Sequence, residues 1–453
     1  MIARISLTMT AGIIASLVTS ISYGASLSLQ QAIHQAQQND PWLTKSQHIQ
    51  AATNARQIAA GTLPDPKMSV GLANLPTDTF DFDQEPMTQF KVGVSQMFPR
   101  GDSLELKQQQ LRQQSLQHPF MRQDRKAKVA VNVSQLWLDA YLAQESIALI
   151  NRNRGLFEQL AGVAQASYAS AMGKSRQQDI IRAQLELTRL DDRLTNLKQQ
   201  QEMRLQALSE WTSNVFLREV KPSSLKENSV FPQKLSHYST NELALTRKLP
   251  NLHILKQQLV YAKVTTPQTL AKHFMQHPAV KALEQQIQAS QTEIKLAEQK
   301  YKPEWGVNAS YSYRDDDPNG NDRADFFSVG VTFDLPLFTT NRQDKEVQAA
   351  ASQAEAIKTE KWLLLRNMMA RFETAKAQLK RLEQRLSLYQ SQLLPQMHQQ
   401  AEAALTAYTN DEGDFAEVVR ARIAELNAEI DALAINVAKQ KTIAQLNYFF
   451  TTN

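Results

Sequence analysis

Phe90-Lys91-Val92-Gly93-Val94 returns as Phe327-Ser328-Val329-Gly330-Val331, 237 residues further along the chain. The same shift, with no gap, lays Pro41, Pro66 and Pro99 on Pro278, Pro303 and Pro336, and Val70 on Val307. Two alanine-rich helices can match alanines by chance, but not three prolines and an F-x-V-G-V motif in one register. Later the shift drifts to 240, where Tyr168 and Gly173 meet Tyr408 and Gly413. The chain is a duplicated unit. Residues 25–240 and 241–453 each read as helix, strand, loop, strand, long helix, turn, long helix.

The strands lie around the repeated motif. Met68, Val70 and Leu72 alternate with Ser69, Gly71 and Ala73; Phe90, Val92 and Val94 alternate with Lys91, Gly93 and Ser95. Trp305, Val307, Ala309, Tyr311 and Tyr313 do the same, as do Phe327, Val329, Val331, Phe333 and Leu335. Period-two alternation gives a sheet with one apolar and one polar face. The expected strands are about 67–74, 88–97, 304–313 and 326–335. A soluble sheet packed on helices would satisfy the pattern. The aromatic residues on the apolar face and the strand length of roughly 9–11 residues favour lipid-facing barrel strands. Val94 and Val331 are expected to face lipid at equivalent heights, and Thr332 the lumen. The connections 75–87 and 314–325 are long and acidic, as extracellular barrel loops are. Asp315-x-Asp317-x-Asn319-Gly320 resembles the opening of a calcium loop, but Phe326 stands at the twelfth position, where a bidentate Glu is required.

Val129, Leu136, Ala143, Ile150, Phe157 and Ala164 recur every seven residues, beside a second seam of Val133, Ala140, Ile147, Ala161 and Tyr168 broken by Arg154. Val419, Leu426 and Leu433 accompany Ile423, Ile430 and Val437 near the C-terminus. Sustained heptads demand packed, supercoiled helices. A helix from Phe120 to Met172 would run about 75–80 Å. The fold class is therefore mainly α with a transmembrane β-barrel. Four strands cannot close a barrel, and lipid does not tolerate an open sheet edge, so other subunits are required.

Composition narrows the function. The chain of 453 residues has no Cys, which removes disulfides, thiolate metal sites, Cys nucleophiles and an acylated-cysteine anchor. Its formal charge of +5 is mixed along the helices, without the basic stripe of a nucleic-acid interface. Arg4 is the only charged side chain before Asp40; an apolar run from Ile13 to Val18 follows it, then Ser22 and Gly24 at the small positions of a cut before Ala25. Residues 1–24 are thus expected to be a signal peptide. No hydrolase, nucleotide-binding or metalloprotease motif is present, so neither enzyme activity nor a cofactor is expected.

The ungapped duplication resembles that of the TolC-like outer-membrane efflux proteins. So do the strand-to-helix junctions Phe98-Pro99-Arg100-Gly101 and Leu335-Pro336-Leu337-Phe338. The turns Tyr168-Ala-Ser-Ala-Met-Gly173-Lys-Ser175 and Tyr408-x4-Gly413-x-Phe415 are similar to that family's helical tips. The resemblance implies a homotrimer in outer-membrane lipid with a large periplasmic part. Each protomer would give four strands to a twelve-stranded barrel and four helical strands to a tunnel meeting a periplasmic adaptor and an inner-membrane transporter. The segment 212–269 resembles the family's equatorial insert. The implied function is a passive exit duct of a tripartite efflux system.

Asp411, Glu412, Asp414 and Glu417 crowd the second turn, where threefold symmetry would make a carboxylate ring that narrows a pore and favours cations. Some of them also suit a helix N-terminus. Gly173, Lys174, Ser175, Arg176 and Gly413 are the expected adaptor contacts, with Lys174 and Arg176 available to pair with the acids. His273 and His277 stand four apart, a metal-ligand spacing, but polar residues in a last turn before Pro278, where His suits a helix C-terminus, are the simpler reading, and no metal site is expected. The acidic residues lean the cargo towards heavy-metal cations. Drugs or secreted polypeptides remain alternatives, as does, from another class, a structural periplasmic coiled-coil protein.

Overall fold

The computed structural model describes residues 26–169, 176–213, 244–262, 266–410 and 412–451. The expected cleavage point at Ser22–Ala25, the tip residues Gly173, Lys174, Ser175 and Asp411, and much of 212–269 lie outside the described residues.

Each half opens with two helices joined at a proline. The first half runs α1 (Leu29–Asn39), α2 (Pro41–Ala60), β1 (Lys67–Ala73), β2 (Gln89–Phe98), α3 (Ser103–Ala169) and α4 (Gln177–Thr212). After the single turn α5 (Gln257–Val260), the second half runs α6 (Pro267–Phe274), α7 (Pro278–Glu298), β3 (Trp305–Tyr313), β4 (Phe326–Phe333), α8 (Gln343–Leu388), a π-helical turn Tyr389–Leu393, α9 (Leu394–Thr409) and α10 (Phe415–Tyr448). Ser28 and Gln31 form a capping box on α1. Pro41, Pro267 and Pro278 each sit in a first turn, where a missing N–H costs nothing.

The four strands make one antiparallel sheet in the order β1-β2-β3-β4, so the central ladder joins the two halves. Its register sorts the side chains. Met68 lies opposite Val94, Val94 opposite Ala309, and Ala309 opposite Val329, all on one face. Lys91, Ser312 and Phe326 share the other face. Met68, Val70, Phe327, Val329 and Val331 are all exposed on the protomer. A Cβ on Gly306 would come within 2.6 Å of Thr332 Oγ1 and 2.7 Å of Met97 Sδ, so the polar face is crowded.

Val94 and Val331 stand in different hydrogen-bonded rows, because Val331 faces Val307, whose other partner is Gln96. The hairpins have slipped by two residues relative to the duplication, and staggered registers are what tilted barrel strands require. The long helix starts earlier than the expected Phe120. It runs 67 residues from Ser103, about 100 Å, straight through Pro119. Pro119 gives up one backbone bond and crowds the preceding turn, but packing against α2 and α7 holds the helix together.

Contacts arrange the helices as four parallel rods. α2 and α4 form the first, α3 the second, α7 and α10 the third, and α8 and α9 the fourth. Within the first rod, Asn39 Nδ2 donates to the Thr212 carbonyl at 3.2 Å. Asp40 then caps α2, accepting from the Trp42 N–H at 3.0 Å and from Arg125 Nε at 2.6 Å. The Arg125 guanidinium lies over the rings of both Trp42 and Trp211. The third rod is joined by His277, which stands 237 residues after Asp40. His277 Nδ1 accepts from the Ala279 N–H at 3.2 Å, which leaves Nε2–H to donate to the Tyr448 carbonyl at 3.0 Å.

Three larger apolar cores line the rods, with a smaller one at Leu382, Leu386 and Ile435. Trp137, fully buried, donates to the Leu27 carbonyl and stacks on Tyr141. Phe274, Phe372, Phe449 and Phe450 make an aromatic cluster where α6, α8 and α10 meet. Phe157, Leu190, Phe415, Val418 and Val419 close the end near the turns. The first heptad seam is buried as expected from Val129 to Ala164, except at Leu136, which is half-buried. The second fails at its end, where Tyr168 is exposed.

Candidate functional site at the hairpin tip

The α9–α10 turn is built on a close approach. The Asn410 N–H donates to the Thr406 carbonyl and the Glu412 N–H to the Ala407 carbonyl, closing α9. A Cβ on Gly413 would lie 2.9 Å from the Tyr408 nitrogen and 3.0 Å from the Ala407 carbonyl carbon, so only glycine fits without moving backbone. Asp414 caps α10, accepting from the Ala416 N–H at 3.2 Å. Phe415 is then buried against Tyr408, edge to face at 5.6 Å. Glu412, Asp414 and Glu417 all remain exposed. Asp414 and Glu417 occupy the helix N-terminus, where carboxylates meet the positive end of the dipole. Glu412 has no such role.

The opposite turn enters α4 through Arg176, whose backbone N–H donates to Asp179 Oδ2 at 2.9 Å. Asp179 is buried. Among the described residues no ion pair joins Arg176 to Glu412, Asp414 or Glu417, so the expected cross-turn pairing is not formed within one protomer by these residues.

Behind the tip lies a charged cluster that the heptads conceal. Arg422, buried, reaches Glu402 on α9 at 2.6 Å and Glu425 at 2.9 Å. His398 Nδ1 lies 2.6 Å from Glu425. Desolvation opposes the charge on Arg422, but the two carboxylates outweigh it and raise its value. The hydrogen bond and charge of Arg422 lower that of Glu402. Burial and the neighbouring Glu425 raise Glu429. Phe415, Arg422 and Glu429 are seven residues apart, so heptad spacing could have placed them on one inward stripe. α9 has little else to hold it: Ala401 is its one buried residue.

His273 and His277 do not form a metal site. His273 is exposed in the last turn of α6, whereas His277 is buried with both ring nitrogens bonded to backbone. Among the described residues no group of three or more His, Cys, Asp or Glu side chains is disposed to hold a metal. No described helix is long and apolar enough to cross a membrane.

A sheet with one apolar face, carried on rods about 100 Å long and ending in an acidic turn, can now be set beside known proteins. Residues 272–448 match the family model for outer membrane efflux proteins. That stretch is an outer membrane efflux protein domain. The TolC-like resemblance read from the repeat therefore stands. No curated protein sequence matches the chain. Among solved structures, this chain is similar to the CmeC outer membrane channel of Campylobacter jejuni, with 13% identity and a TM-score of 0.72 over 93% of this chain and 85% of that one. It is similar to the open state of the MtrE outer membrane channel of Neisseria gonorrhoeae, with 13% identity and a TM-score of 0.68 over 94% and 89%. CusC, a transmembrane channel, gives 16% identity and a TM-score of 0.70 over 95% and 93%. At these identities the likeness establishes the fold, and it does so for nearly the whole chain. The efflux family consists of transport conduits rather than enzymes. The expected localisation, outer membrane with a large periplasmic part, follows.

Proposed function

We propose that the mature chain, residues 25–453 after loss of the signal peptide 1–24, is the exit duct of a tripartite efflux system. Three copies close a twelve-stranded barrel and a helical tunnel, and cargo passes through without chemistry at the wall. The single observation that carries this reading is the sheet. Its two edge strands, β1 and β4, each have one partner, and its exposed face is apolar. Lipid tolerates that arrangement only in a closed barrel. The tip around Gly173, Lys174, Ser175, Arg176 and Gly413 is the surface offered to the periplasmic adaptor, which couples the duct to an inner-membrane transporter. Heavy-metal cations are the favoured cargo, because Asp411, Glu412, Asp414 and Glu417 recur three times around one mouth.

Planar-bilayer recording tests this reading. Asp411→Asn, Glu412→Gln and Asp414→Asn combined should raise conductance and lower the cation-to-anion permeability ratio. An unchanged ratio removes these carboxylates from the pore. Release of the protein from membranes by buffer alone, without detergent, removes the barrel.

A further inference from the structure

The apolar band of the sheet is too short for the bilayer it would span. Its aromatic rows lie at Phe90 opposite Tyr313 on the loop side, and at Phe98, Trp305 and Phe333 on the helix side. Eight residue steps separate Phe90 from Phe98. At ~3.4 Å per residue and a tilt of ~35–45°, they cover about 19–22 Å, whereas the apolar belt of such barrels is ~25 Å tall. The deficit of about 3–6 Å equals roughly two further residues of tilted strand.

The helix end supplies them more readily. On the loop side Leu75 and Met87 lead into a segment in which Phe80 and Phe82 are interspersed with Asp78, Asp81, Asp83 and Glu85, which draw it towards water. On the helix side Leu335 continues the alternation of β4 two residues past Phe333. The Asp334 N–H still donates to the Glu304 carbonyl there. Leu337 is 72% exposed and Phe338 90% exposed, the highest figure for any large apolar side chain described. The charges beside them are already engaged: Asp334 pairs with Arg100, and Arg100 also donates to the Lys302 carbonyl at 2.9 Å.

We infer that Leu335, Leu337 and Phe338 insert into the periplasmic leaflet of the outer membrane and set the depth of the barrel. The partner is lipid at the boundary between headgroup and acyl chain, where aromatic rings concentrate. The inference rests on the barrel reading above. It adds a rim of three such segments by symmetry, each beyond the last residue of β4, where the Leu337 N–H turns back to the Leu335 carbonyl at 2.9 Å.

The chain has no cysteine, so one introduced thiol gives one label. Phe338→Cys and Val331→Cys, each carrying an environment-sensitive fluorophore, are reconstituted into phosphatidylethanolamine–phosphatidylglycerol vesicles. The vesicles contain lipid spin-labelled either at the headgroup or at mid-chain, and aqueous iodide is the counter-probe. Headgroup spin label should quench the Phe338 site at least twofold more than mid-chain label, while Val331 shows the reverse order. A Phe338 label quenched by iodide and not by lipid overturns the anchor. Shielding from both quenchers overturns it in favour of a neighbouring copy. If lipid quenches neither site, the barrel reading falls and the anchor with it; lipid quenching at Val331 alone sinks only the anchor. Phe338 packs against almost nothing in the protomer, so the substitution leaves folding intact.

Discussion

Asp40 and His277 hold the same place in two copies of one unit and solve one problem with opposite chemistry. Each caps the helix that continues its rod. Asp40 does so as an anion, paired with Arg125 beneath two tryptophans. His277 does so as a neutral ring whose two nitrogens serve two backbone groups. Its neighbours are Tyr448, edge to face at 4.8 Å, and the Asp124–Lys128 ion pair, with Asp124 also accepting from the Tyr448 hydroxyl at 2.7 Å. The sheet is different, since there the two halves still share alternation and motif. A repeat can drift in how it joins its rods, but less freely in which face meets lipid.

The largest expected effect is from forcing the junctions to match. His277→Asp buries a second carboxylate beside Asp124, whose cation Lys128 is already paired, and an uncompensated buried charge costs about 3–5 kcal/mol. Thermal unfolding in detergent, followed by helical circular dichroism, reads this directly. A variant as stable as the parent would show the junctions to be interchangeable.

Next comes the face the halves share. Val331→Arg should cost about 2–4 kcal/mol near the bilayer midplane and reduce insertion. Thr332→Arg, on the opposite face beside Gly306, should insert and alter conduction. Equal insertion of the two would reject the assigned faces.

Gly413→Ala separates the tips from the shafts. The added methyl meets backbone, and such overpacking typically costs ~1–3 kcal/mol. Gly155→Ala, where a Cβ meets nothing within 4 Å, should stabilise α3 by ~0.5–1 kcal/mol. Opposite signs in the same melting assay are the expected result.

The smallest effect is pH dependence confined to one junction. Burial holds His277 below the usual histidine value, against upward pulls from the Tyr448 carbonyl and Asp124. The unfolded chain therefore takes up the proton first. Stability is complete above pH ~6.5 and declines as the pH falls towards the folded value, by at most ~1.4 kcal/mol per pH unit. His277→Gln should flatten this part of the profile. The slope left over belongs in part to His118, which burial and then Arg122 also lower.

The strands, their faces and the first heptad seam were legible because each follows a period that one sequence displays. Four things were not. Pro119 reads as a breaker, and only packing from α2 and α7 carries the helix past it. Arg422 reads as a charge beside the apolar seams of α10, since its partner Glu402 lies across a turn. His277 reads as half of a metal-ligand pair with His273, although the 237-residue shift sets it on Asp40. The two-residue slip between hairpins leaves no trace in composition or period, because it lives only in hydrogen-bond pairing.

The central ladder, β2 on β3, has a cost in folding time. Phe98 and Trp305 face each other across α3, α4 and everything up to α7, a span of about two hundred residues. Each outer hairpin can close locally through its own loop of a dozen or so residues, but the ladder that unites them must wait for the ends of a far longer one to meet. Loop closure of that size carries an entropic barrier that no local propensity offsets. The two hairpins therefore form early and the full sheet late. Until then each hairpin exposes an extra unpaired edge, β2 in one and β3 in the other.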